Sequence, residues 1–236
     1  MANGRRATQH CAPVHFDNGG FMVPRELGSI GRLATFAATA LCLVALFLPA
    51  RLGYGQISDE ALVRQISAYA NDLCGVCHEP RGGKELAPRI SGQQRDYIEA
   101  QLNAFRRKSR VEPEAYDCMW GLSSALSDRL TAALASYFAS QPARPGIAGD
   151  SIRVQAGAAL FTRDRQNGIP SCAQCHEQDA AGAGTVPRLA GQLAPYLGRQ
   201  MQVIRARFRE SGIMHGILTE LTDEEMRSLA VYLQSL

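Results

Sequence analysis

Two segments of this chain carry one sequence pattern. LAPRISGQQRDYIEAQLNAFR (86–106) aligns with TVPRLAGQLAPYLGRQMQVIR (185–205), ninety-nine residues later. The identities are Pro88/Pro187, Arg89/Arg188, Gly92/Gly191, Gln93/Gln192, Tyr97/Tyr196, Gln101/Gln200 and Arg106/Arg205. Farther on, LSDRLTAALASYFASQ (126–141) aligns with LTDEEMRSLAVYLQSL (221–236). A repeat this long exceeds a solenoid unit and matches two small domains in tandem. The units are 57–142 and 151–236, joined through residues 143–150. The stretch QPARPGIAGD (141–150) holds two prolines and two glycines, which oppose continuous helix.

Within each unit the apolar residues recur at helical spacing. Residues 59–72 read as an amphipathic helix leading to a cysteine motif. Residues 92–107 place Tyr97, Ile98, Leu102 and Phe105 on one face behind a Ser91 cap. Residues 128–139 repeat the pattern at Leu130, Ala133, Leu134 and Tyr137, and Thr222 with Glu225 forms a capping box before the last helix. No alternating run bounded by turn residues signals a strand. Hydrophobic residues at 46% and charged residues at 20% make the chain globular. The fold class is all-α: two tandem domains after an N-terminal leader helix.

Seven cysteines are an odd number, so they cannot all pair with one another. Cys11 and Cys42 fall in the leader and Cys118 stands alone. The other four form CGVCH (74–78) and CAQCH (172–176), at equivalent places in the two units. C-x-x-C-H is the attachment signature of c-type haem. Cys74 and Cys77, or Cys172 and Cys175, lie one helical turn apart and reach two vinyl groups as thioethers. The following His78 or His176 then faces the iron. Four thiolates at this spacing also suit structural zinc, but zinc gives neither histidine a role. A thioredoxin-like pair needs a βαβ setting that is missing here.

A second axial ligand must come from elsewhere in each unit. Met119 and Met214 each stand seven residues before the leucine that opens the last helix. A neutral thioether suits haem iron, and Met/His ligation raises the reduction potential. Met201 and Met226 have no methionine counterpart in the other unit and read as core filler. The carbonyls of Pro88 and Pro187 are candidates to orient the ligand histidines. Arg89, Arg188, Tyr97 and Tyr196 are candidates for the haem propionates, with core packing as the plainer role of the tyrosines. Cys118 beside Met119, and His215 beside Met214, are competing ligands.

Leu33 to Leu48 is a run of sixteen uncharged residues after Arg25 and Arg32 and before Pro49. Such a run reads as a secretory signal over residues 1–56, with a retained membrane anchor as the alternative. Met22 offers a conventional start for it. Residues 1–56 hold five basic and two acidic residues, which leaves twenty of each in the body. A neutral body gives no electrostatic case for nucleic acid.

With PRISGQ and Met119 after CGVCH, and PRLAGQ and Met214 after CAQCH, the chain resembles the di-haem class I cytochromes c of the c-four type over residues 57–236. The resemblance implies two cytochrome c domains related by a pseudo-two-fold, with propionates near the domain interface. It also implies two covalent haem c groups, loaded on the periplasmic side, and donation toward a terminal oxidase. Electrons would enter from a donor such as a quinol-oxidising complex. No paired carboxylates, Ser/His/Asp set or phosphate loop is recognisable, so no catalytic residue is assigned. The alternatives are a di-haem oxidoreductase of the thiosulfate dehydrogenase or peroxidase kind, and a membrane-anchored cytochrome subunit of an oxidase or dehydrogenase.

Overall fold

The computed structural model describes residues 64, 66–78, 87–113, 115–164 and 168–236. The leader, Met22, Cys11 and Cys42 lie outside the described residues.

Helical propensity and apolar spacing yield four described helical segments in the first unit and five in the second. Helix α1 is already α-helical over residues 66–68, passes through a π-helical stretch, Tyr69–Cys74, and continues as α-helix through Gly75–His78. Helix α2 spans Arg95–Arg106. Helix α3 joins a π-helical stretch, Ala115–Met119, to Trp120–Ser124. Helix α4 spans Asp128–Ser140, with the Ser127 hydroxyl accepting from the Leu130 N–H. The second unit has α5 (Ser151–Thr162), α6 (Cys172–His176), α7 (Ala194–Arg205), α8 (Gly212–Thr219) and α9 (Asp223–Ser235). Thr222 and Glu225 close the expected capping box at α9. Residues 141–150 carry no helix, as their prolines and glycines require. Among the described residues the extended chain pairs once, in an antiparallel bridge between Arg110 and Arg209.

One helix start differs from expectation. Ser91 does not cap α2; the N-cap is Gln94 and the helix begins at Arg95. The cause is Gly92, whose φ of 70° turns the chain before helix can begin. Gly191 repeats this at φ 71°. Both glycines face the linker closely: a Cβ on Gly92 would lie 2.6 Å from the Ala143 Cβ, and one on Gly191 would lie 2.7 Å from the Arg144 oxygen.

Each unit buries its own core. In the first, Ala70, Ile98, Leu126, Leu130, Leu134, Ala135 and Phe138 form one cluster. In the second, Leu160, Phe161, Leu197, Leu218, Met226, Leu229 and Leu233 belong to another. Phe161 is fully buried, and truncating such a ring costs about 3–5 kcal/mol. Met226 is buried and Met201 packs on the same cluster, both as core filler.

The repeated arginine at the end of α2 and α7 ties each of these helices to the last helix of its unit. Arg106 donates to the Leu126 carbonyl at 3.1 Å and pairs with Asp128 at 2.5 Å. Arg205 donates to Leu221 at 3.2 Å and pairs with Asp223 at 2.6 Å. The acids are exposed, so the carbonyl bonds matter more than the charge pairing.

Candidate functional site

Both cysteine motifs lie on helix. Cys74 packs against the first core and Cys172 against the second. Burial, with Cys77 nearby, pushes the Cys74 thiol up to about 11. The histidines that follow are held alike. His78 Nδ1 lies 2.8 Å from the Pro88 oxygen, and His176 Nδ1 lies 3.1 Å from the Pro187 oxygen. A carbonyl accepts, so each Nδ1 is the protonated nitrogen, which leaves Nε2 as the nitrogen with a lone pair to offer a metal. Burial holds the His176 imidazole below its ordinary range, against the opposing effect of the Pro187 carbonyl. The loop between them is tight: Gly182, at φ 65°, donates its N–H to the His176 oxygen at 2.9 Å, and a Cβ there would run into the Pro187 carbonyl.

The methionines sit on repeat-equivalent helices. Met119 ends the π-helical part of α3 and Met214 lies within α8; both are half-buried. Met214 packs against the second core together with Cys172. His215 turns its Nδ1 toward the Ile204 carbonyl at 3.3 Å. Cys118, beside Met119, is half-buried as well.

The repeated PR–GQ segments meet across the two units. Gln93 accepts from the Arg188 N–H at 2.7 Å and donates to the Arg188 carbonyl at 2.9 Å. Gln192 does the same to Arg89, at 2.9 Å and 2.8 Å. The Arg89 guanidinium donates to Pro145 and Gly191 carbonyls, which engages it in joining the units. The Nε of Arg188 is buried without a partner.

Tyr97 and Tyr196 belong to a second contact between the units, built around Arg110 and Arg209. Gln101 Oε1 accepts from both guanidiniums, at 3.1 Å and 3.0 Å, and Gln200 Oε1 accepts from both at 3.1 Å and 2.6 Å. Arg209 also donates to the Tyr97 hydroxyl at 2.5 Å, and Arg110 pairs with the buried carboxylate of Glu112. Burial, and then the Tyr97 phenol, push Tyr196 up from its ordinary range. Burial works against the charge on Arg209, but Tyr97, Tyr196 and Glu112 more than offset it, so this guanidinium stays protonated. Arg110 and Arg209 are themselves a repeat pair at the offset of ninety-nine, as are Gln101 and Gln200, which they share, whereas Glu112 has no such signal in the sequence.

The chain matches the cytochrome c family model over residues 154–236. It is 36% identical over 170 residues to cytochrome c-552 of Acidithiobacillus ferridurans, covering 69% of this chain and 73% of that one. It is 32% identical over 178 residues to cytochrome c4 of Thiocapsa roseopersicina, covering 72% and 90%. The solved structure of Acidithiobacillus ferrooxidans cytochrome c4 superposes with a TM-score of 0.65 at 35% identity, covering 69% of this chain and 98% of that one. The chain belongs to the cytochrome c family and is of the di-haem cytochrome c4 type. Further relatives bear the name thiosulfate dehydrogenase electron acceptor.

The residues of this cytochrome c4-type chain fit covalent haem c. Each unit has two thiols one helical turn apart and an adjacent histidine whose Nδ1 is already bonded. The neutral state that burial favours at His176 is the ligating one. The orphaned Nε of Arg188, a buried cation edge, suits a carboxylate. Among the described residues, no helix is long and apolar enough to cross a membrane.

Proposed function

We propose that the chain is an exported, periplasmic electron carrier of a respiratory chain, built as domains 57–142 and 151–236 about a linker at 143–150. Cys74 and Cys77 anchor one haem and Cys172 and Cys175 the other. His78 with Met119, and His176 with Met214, are the residues that would hold the two irons. The group so held supplies one-electron exchange at iron.

The observation that carries this reading is the repeated histidine–proline contact. A hydrogen bond from Nδ1 to a backbone carbonyl fixes the tautomer and the ring plane, and it makes Nε2 the better donor. The same contact occurs in both units, ten residues from histidine to carbonyl in one and eleven in the other. The methionine thioethers are neutral and soft, which favours the reduced state and fills the remaining position. His78 with Met119 and His176 with Met214 would then leave no position on the iron for substrate, and the chemistry supplied would be one-electron exchange with a partner.

The partners of such a chain are redox proteins. A quinol-oxidising complex fits as donor and a terminal oxidase as acceptor. Relatives named as thiosulfate dehydrogenase electron acceptors support a dehydrogenase as an additional donor. The deciding experiment is an optical spectrum of the purified holoprotein, with the Met-to-iron charge-transfer band measured per haem. Two haems resistant to acid-acetone extraction and one band for each are expected. Extractable haem, or no such band, overturns the assignment.

A further inference from the structure

The contact around Arg110 and Arg209 follows the repeat except at one residue. Glu112 has no counterpart, because Ser211 stands ninety-nine residues on. Glu112 is only 1% exposed, and its Oε1 takes the Nε–H of Arg110 at 2.8 Å as well as an Nη2–H. Arg110 reaches from there into the second unit, to Gln200 at 3.1 Å. One carboxylate therefore neutralises one of two buried guanidiniums that the repeat has set face to face.

The backbone of this segment also holds the helix that carries Met119. The Glu112 carbonyl accepts from the N–H groups of Ala115 and Tyr116, at 2.9 Å and 3.3 Å, and so opens α3. The Arg110 carbonyl accepts from the Trp120 indole at 2.8 Å, one residue beyond Met119. The Val111 N–H donates to the Phe208 carbonyl of the second unit at 3.0 Å. The segment 110–112 is thus fastened to the second unit on one side and to α3 on the other. The second unit has a matching tie, since Arg209 donates to Tyr97 and Gln101 and the Ser211 carbonyl accepts from the His215 N–H beside Met214, but it has no carboxylate at the place of Glu112.

We propose that Glu112 is a positioning residue for the methionine ligand of the first haem, acting through Arg110 and the contact between the units. Ligation by Met119 then depends on this carboxylate and, through Gln200 and Phe208, on the second unit, a dependence on one acid that Met214 does not share. The physical cause is charge balance. Without the carboxylate, Arg110 and Arg209 face each other over two amide oxygens, an uncompensated buried charge. The segment 110–112 is the element that yields, and it carries the anchors of α3 with it. This role for Glu112 rests on Met119 being a ligand.

The test uses the holoprotein, with Glu112→Gln, Gln200→Leu and Met119→Ala as variants. Charge-transfer band intensity and both reduction potentials are measured. Met119→Ala identifies the first haem by removing half of the band and lowering one potential. Glu112→Gln is expected to weaken that same half and lower that same potential, leaving the other haem unchanged. Gln200→Leu, a change in the second unit, is expected to act in the same direction on the first haem, and it keeps the test alive if Glu112→Gln does not fold. Intact bands and potentials in both Glu112→Gln and Gln200→Leu overturn the inference, as does equal loss at the two haems. A full band set in Met119→Ala rejects the ligand assignment itself, and the inference falls with it.

Discussion

Gln93 holds both backbone polar groups of Arg188, accepting from its N–H at 2.7 Å and donating to its carbonyl at 2.9 Å. A side-chain amide used in this way stands in for a strand neighbour and satisfies a stretch of non-helical chain at the contact between the units. Because Gln192 does the same to Arg89, the two glutamines should be energetically alike. Gln93→Ala strands a backbone donor and an acceptor, and each such group costs about 1–3 kcal/mol where water is excluded. Gln192→Ala should match it within error. Chemical denaturation of the holoprotein checks both, and a marked difference between them would show that the symmetry is only geometric.

Covalent haem is expected to divide by unit. Changing Cys172 and Cys175 to serine should halve the haem that survives acid-acetone extraction and leave the first domain loaded. Mass spectrometry of the variant should then show a single attached group. Loss of both groups would mean that the second domain must be loaded before the first.

Met214→Ala should lower the potential of the second haem and open its iron to carbon monoxide, because the thioether favours Fe(II). The first haem should be nearly unaffected. An unchanged titration would point to His215 as the ligand instead.

Alkaline pH should loosen the contact between the units. Burial raises the folded pKa of Tyr196 above its unfolded value of about 10. The contribution of the neutral phenol is therefore complete below about pH 10 and is lost as pH rises toward the folded value. Stability of the holoprotein should fall over that range, and Tyr196→Phe should flatten the fall. Denaturation midpoints in the two proteins at several alkaline pH values make the comparison.

The repeat, the helical spacing and the capping box at Thr222 are legible in the sequence because they depend on local chemistry, which is written in order along the chain. The contacts of His78 and His176 with the Pro88 and Pro187 carbonyls are legible because a histidine meant for a metal needs an acceptor at short range. The contact between the units is not. All seven identities of the 86–106 repeat are visible, but Gln93, Gln101 and Tyr97 act on residues about a hundred positions away, which periodicity does not report. The burial of Arg110 and Arg209 is not legible either, since a buried arginine looks no different in sequence from an exposed one. Ser91 fails as a cap for a local reason: the left-handed turn at Gly92 delays the helix to Arg95.

The reciprocity of the two glutamines has a consequence for the origin of the chain. The first unit presents both halves of the contact, the amide of Gln93 and the backbone of Arg89, and the second presents both halves again in Gln192 and Arg188. A surface of this kind is isologous: it is complementary to its own copy, as in a symmetric homodimer. The linker at 143–150 makes that pairing permanent and gives each half a separate sequence. In a homodimer every substitution appears twice, and an acid at the position of Glu112 would have arrived with its twin. Fusion is what allows one acid to stand opposite a serine.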